Sequence, residues 1–194
     1  MKGFRGIKLG FWARIRRLLD LELFEPHFKL LYAELCAMGV QAAWTEHAPP
    51  EDKFRVLDIS GSPIGWVSVK IPLSGDEEIT VEFGIPDSRR LPQAEIKSKY
   101  VNTFPVFGKT INVRWKGDDK GTGIVRRLTS DDTIKTSIMD TCEVTVQSRP
   151  EHGCWLIVQK RWSLNSPLYK AHQWRCYEKI AQILLTTPVE VKNL

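Results

Sequence analysis

An α+β fold is expected from three observations on this 194-residue chain. A strand pair and a long amphipathic helix follow one another in residues 141–185. Three alternating segments between residues 54 and 85 read as an antiparallel meander. Helical spacing dominates the stretch before residue 39. We expect a mainly antiparallel sheet of about six or seven strands with two N-terminal helices and a long C-terminal helix. A partly closed barrel with helices is the alternative architecture.

The strand pair comes first. Cys142, Val144 and Val146 alternate with Glu143, Thr145 and Gln147, a period of two with one apolar face. Ser148 to Glu151 breaks that run, and Cys154 to Val158 returns apolar on both faces. A turn centred on Arg149 and Pro150 would set Cys142 opposite Ile157 and Cys154 opposite Thr145. Ser166-Pro167 then signals a helix start, a cap followed by a residue pre-set for the first turn. Trp174, Tyr177, Ala181 and Leu184, widened by Leu168, Ala171, Ile180 and Ile183, form a broad stripe to about Leu185. Such a stripe needs a sheet or a second helix to cover it.

In the N-terminal part, residues 11–23 can form one helix. Pro26 opens a second to about Met38, where Gly39 is a left-handed stop. Pro49-Pro50 ends any regular element and marks a hinge. Residues 54–59, 64–71 and 79–85 are the meander, with Val67, Val69 and Ile71 on one face and Ile79, Val81, Phe83 and Ile85 alternating clearly. Residues 86–105 are ambiguous, with a short helix at 93–100 set against extended backbone beyond it. Ile111, Val113 and Trp115 alternate as a further strand. Residues 123–128 read as its return, and Thr129 or Ser130 as the cap of a short helix. One domain over 1–194 is expected. A helical appendage of residues 1–48 before a sheet core of 49–185, with a tail of 186–194, is the alternative division.

Charge is concentrated. The net charge is +5. Lys2, Arg5, Lys8, Arg14, Arg16 and Arg17 face only Asp20, so the first twenty residues hold that whole excess. With Trp12 and its apolar neighbours these cations form a basic amphipathic segment. They are the interaction candidates, suited to an anionic membrane surface, a nucleic acid or an acidic protein. A second set of cations, Arg89, Arg90, Lys97, Lys99, Arg114, Lys116, Arg126 and Arg127, lies near Phe104, Phe107 and Trp115, which would serve as stacking surfaces for a nucleic acid.

Catalytic signatures are sparse. Residues 117–123 are glycine-rich but lack the lysine and serine/threonine ending of a phosphate loop. His172 and Cys176 stand four apart and His152 and Cys154 two apart, yet no tight metal knuckle is formed, and neither a metal nor a cofactor is expected. Glu78 and Glu82 would lie roughly 13 Å apart along one strand, too far for a carboxylate pair. The four cysteines contain no CxxC spacing, which fits free thiols in a reducing compartment. No apolar run reaches the roughly 20 residues of a bilayer span, and a cytoplasmic protein, peripheral at a membrane surface in one reading, is expected. The leading expectation is a non-catalytic interaction, adaptor or structural protein that binds another protein or itself. A nucleic-acid-binding protein and an enzyme with a dispersed active site are the alternatives.

Overall fold

The computed structural model describes residues 29–44, 55–70, 79–103, 109–161 and 171–189, and the structural statements that follow refer to these. Its centre is one open sheet of eight strands: β1 (Gln41–Trp44), β2 (Arg55–Ser60), β3 (Trp66–Lys70), β4 (Ile79–Pro86), β5 (Glu95–Asn102), β6 (Thr110–Asp118), β7 (Thr145–Arg149) and β8 (Cys154–Arg161). Every pairing is antiparallel, in the order β1-β2-β3-β4-β8-β7-β5-β6. The first four strands form a meander. After β4 the chain skips two places and lays down the β5–β6 hairpin, and the β7–β8 hairpin later fills the gap. β1 and β6 are the two edges, so the sheet is open and the barrel alternative does not hold.

Four helices accompany the sheet: α1 (29–37), α2 (Ile124–Ser130), α3 (Asp132–Met139) and α4 (Ala171–Thr186). One row of cross-strand partners shows how they cover it. Trp44, Leu57, Val67, Phe83, Ile157, Val146, Ile96 and Gly117 are successive neighbours across all eight strands. Phe83 meets Trp174 and Tyr177 of α4 with ring centroids 6.3 and 4.6 Å away. At the near edge Trp44 stacks on Tyr32 of α1 at 5.5 Å. At the far edge α2 and α3 pack over β6 and against α4. The buried apolar side chains of sheet and helices join in one core.

The α4 stripe is as expected: Trp174, Tyr177, Ile180, Ala181, Ile183 and Leu184 are buried. So is the meander, with Val67, Val69, Val81, Phe83 and Ile85 inward. Gly39, at φ +82°, ends the turns after α1. The expected N-terminal helix at 11–23 and the helix start at Ser166-Pro167 lie outside the described residues.

Five expectations are corrected. There are eight strands rather than six or seven, because residues 41–44 and 95–102 both pair. Residues 93–100 are not a helix: β5 buries Ile96 and Ser98 and exposes Lys97 and Lys99, and a serine at an inward position disguises the alternation. That serine is satisfied by donating its hydroxyl to the Val144 carbonyl at 3.1 Å and accepting the Val144 amide at 2.7 Å. Residues 123–128 are not a strand. Ile124 and Leu128, four apart and fully buried, seat α2 on the core. The cap of α3 is Asp131, which accepts the Ile134 amide at 3.0 Å, rather than Thr129 or Ser130. The hairpin register also differs, with Val146 opposite Ile157 and Arg149 opposite Cys154. The turn is a 3₁₀ segment, Pro150–His152, closed by left-handed Gly153 at φ +57°, which lies two residues later than Arg149-Pro150.

Candidate functional site

Three places gather polar chemistry. The most heavily bonded is at the end of β4. Asp87, 5% exposed, accepts the Arg89 amide and Nε on Oδ1 at 3.0 and 2.9 Å, and Arg89 Nη2 and Trp155 Nε1 on Oδ2 at 2.6 and 3.2 Å. The other side of the guanidinium donates to the Thr187 and Leu184 carbonyls at 2.7 and 2.9 Å. Leu184 lies in the last turn of α4 and Thr187 just beyond it, where a cation offsets the helix dipole and meets otherwise orphaned carbonyls. Arg127 adds a bond to the Ile183 carbonyl at 3.3 Å and one to the Thr186 hydroxyl at 3.0 Å. Burial opposes ionisation of Asp87, but the Arg89 bonds outweigh it and hold the carboxyl below its ordinary range. All of its lone pairs are committed, so Asp87 is a clamp that fixes α4 to the sheet. Arg89 and Arg127, read in the sequence as nucleic-acid contacts, serve that clamp instead.

The second place is a cleft of 270 Å³ between the α1–β1 turn, the β2–β3 turn and the first described turn of α4. Gln41, Ser60, Ser62, Trp174, Arg175 and Glu178 line it. Ser62 donates to Glu178 Oε1 at 2.8 Å, a bond that joins the β2–β3 turn to α4. The candidate metal residues are separated: His172 is exposed while Cys176, on the same helix, is buried. Burial pushes the Cys176 thiol up to about 11, despite a bond from Ser137. Glu82 is buried beside Ser68, whose hydroxyl donates to it at 3.2 Å, while Glu78 lies outside the described residues.

The third place is the hairpin of β5 and β6, on the face turned away from the helices. Cross-strand partners there are Glu95 with Asp118, Lys97 with Lys116, Lys99 with Arg114, and Val101 with Asn112. The face is therefore banded: one acidic row, two basic rows, one neutral row. Directly opposed like charges destabilise an antiparallel pair by roughly 0.2–1 kcal/mol. Lys97 is offset by Glu95 at 2.6 Å and Lys99 by Glu143 at 2.8 Å, both in half-exposed pairs. Arg114 and Lys116 are exposed and form no ion pair among the described residues. Trp115 between them turns the other way, 4% exposed, and its indole N–H meets no acceptor. The expected stacking role of Trp115 therefore does not hold, and Phe104 and Phe107 lie outside the described residues.

Of the basic residues read from the sequence, the fold unites Lys97, Lys99, Arg114 and Lys116 on one face. It leaves Arg90 and Arg126 exposed elsewhere. Lys2, Arg5, Lys8, Trp12, Arg14, Arg16 and Arg17 lie outside the described residues. The sequence signal for the banded face was two i, i+2 cation pairs, Lys97/Lys99 and Arg114/Lys116, which share a face only once both segments are strands. No signal marked Asp87, since its partner Arg89 stands two residues on but Trp155 lies 68 away and the carbonyls that Arg89 reaches at the end of α4 lie 95 and 98 away from Arg89. Among the described residues no helix is long and apolar enough to cross a membrane. Compared with protein-family models, curated proteins and solved structures, the chain matches none.

Proposed function

We propose that this is a non-catalytic interaction protein whose β5–β6 face docks an acidic protein surface. The observation that carries the reading is the pair of unpaired cations, Arg114 and Lys116, held opposite Lys99 and Lys97 at a cost in stability. A charge arrangement that weakens the free sheet is repaid when a partner supplies the missing anions, which also steers the encounter. A protein partner is favoured over a nucleic acid by two features. The aromatic residue on β6 points into the core, so Trp115 offers the cations no stacking platform. An acidic row, Glu95 and Asp118, also borders them and would repel a continuing phosphate chain.

The test is binding of the full chain to polyglutamate and to single-stranded polyuridylate at low and moderate salt. Polyglutamate is expected to bind more tightly, with affinity falling as salt rises. An Arg114→Gln/Lys116→Gln variant is expected to lose at least tenfold. Stronger binding to polyuridylate, or equal affinity for wild type and variant, would refute the reading.

A further inference from the structure

The face just described continues onto an open sheet edge. Ser98, the partner of Trp115 on β5, sends its amide to the Val144 carbonyl at 2.9 Å, away from β6. In an antiparallel ladder the two residues of a pair either bond each other or both turn outward. Trp115 therefore presents its backbone N–H and C=O on the free side of β6. Val113, two residues earlier, agrees: its amide is taken by its neighbour's side chain, Asn112 Oδ1, at 2.8 Å. At the end of the strand the register slips near Val101 and Asn102, and Ile111 stands 54% exposed.

Resting on the acidic-partner reading, we infer that the partner engages as an added β-strand: an extended acidic peptide pairs with the free edge of β6. Main-chain bonds at Trp115 supply affinity without sequence preference, and the side chains of alternate residues supply specificity. On the face turned away from the described helices β6 offers Asn112, Arg114, Lys116 and Asp118 in order. A complementary strand therefore carries acids at two alternate positions, opposite Arg114 and Lys116, and a base at the next alternate position, opposite Asp118. A second copy of this chain is a poor occupant. With the helix layers kept on one side, the registers of two β6 edges centred near Trp115 oppose Arg114 or Lys116 with Arg114, Lys116 or Asn112 of the other copy, and the registers that bring Asp118 to one cation set Lys116 against Lys116 or use an acid already paired with Lys120.

The probe is a synthetic nine-residue peptide, Thr-Val-Lys-Val-Glu-Val-Glu-Val-Thr, whose antiparallel pairing sets its lysine opposite Asp118 and its glutamates opposite Lys116 and Arg114, titrated against the full chain by fluorescence anisotropy. A Glu-Lys-Glu ordering keeps composition and net charge but mismatches the bands in either strand direction. N-methylation of the two valines between the charges removes the amides that face β6. N-methylation of the two glutamates removes outward amides only. The parent peptide is expected to bind, the Glu-Lys-Glu and valine-methylated forms at least tenfold more weakly, and the glutamate-methylated form within threefold. Exchange of the Trp115 backbone amide is expected to slow on binding. Equal affinity for the valine-methylated peptide, with unchanged Trp115 exchange, would overturn strand addition and leave the acidic-partner reading standing. Failure of every peptide and of polyglutamate to bind would overturn both. Concentration-dependent dimerisation that slows Trp115 exchange without peptide would make a second copy the occupant and overturn the inference.

Discussion

Replacing Asp87 with alanine removes the acceptor on which the end of α4 is fixed. Two losses follow. The Trp155 indole N–H, in a fully buried side chain, is left without its acceptor, which costs about 1–3 kcal/mol. The Arg89 fork loses a bidentate partner. Because the Arg89 side chain is 35% exposed, solvent recovers much of this, and about 1 kcal/mol is assigned to it. The Arg89 bonds to Leu184 and Thr187 remain available, so α4 is weakened rather than released. The total is about 3 kcal/mol, or roughly 6–12 °C in Tm for a chain of this size. Urea denaturation followed by tryptophan fluorescence measures it, with the m-value unchanged. The sign of the pH dependence is set as well. The folded carboxyl is held below its ordinary value of 3.8, so its contribution is complete above that pH and is lost as pH falls through the folded value. The acid limb of the stability curve should therefore be shallower in Asp87→Ala than in the parent. A change below about 0.5 kcal/mol at neutral pH would refute the clamp.

Two further outcomes are expected. Gly84→Ala should destabilise by about 1–3 kcal/mol, since an added Cβ would lie 1.9 Å from the Trp66 ring, and Trp66→Ala in the same chain should restore part of the loss in a double-mutant cycle. Stability should fall between about pH 9 and 12: burial, aided by Cys142 and Glu143, pushes Tyr100 up to about 12 from 10.0, and burial pushes Cys176 up to about 11 from 9.0. The folded chain then binds more protons than the unfolded one. Thermal melts of Tyr100→Phe and Cys176→Ala across that range should show a flatter decline.

Where one face is apolar and continuous, the sequence reads directly into the fold. Val81, Phe83 and Ile85, or Trp174, Tyr177, Ala181 and Leu184, declare their period without help from neighbours. β5 was obscured because Ser98 sits at an inward position, satisfied by Val144 from 46 residues away. α2 resembles a strand in the sequence because its seven residues carry only two buried anchors, Ile124 and Leu128, too few to show a period. The hairpin register turned on the left-handed Gly153, which moved the turn by two residues. The candidate site was half legible. The cations of β5 and β6 stand in the sequence, but their opposition depends on a pairing fixed by Ile96 and Tyr100 against Gly117 and Val113. Trp115 looked like a stacking partner because alternation tells which residues share a face, not which face is buried.

We propose that Arg114 and Lys116 weaken the free protein and serve a bound one. The most direct measurement is the stability of the Arg114→Gln/Lys116→Gln variant at low salt, taken together with its affinity for polyglutamate. Removing two opposed like-charge pairs should raise unfolding free energy by about 0.5–1 kcal/mol, a gain that fades as salt screens the charges in the parent. Affinity should fall at least tenfold in the same preparation. A variant that is less stable than the parent and still binds polyglutamate with parental affinity would contradict the account.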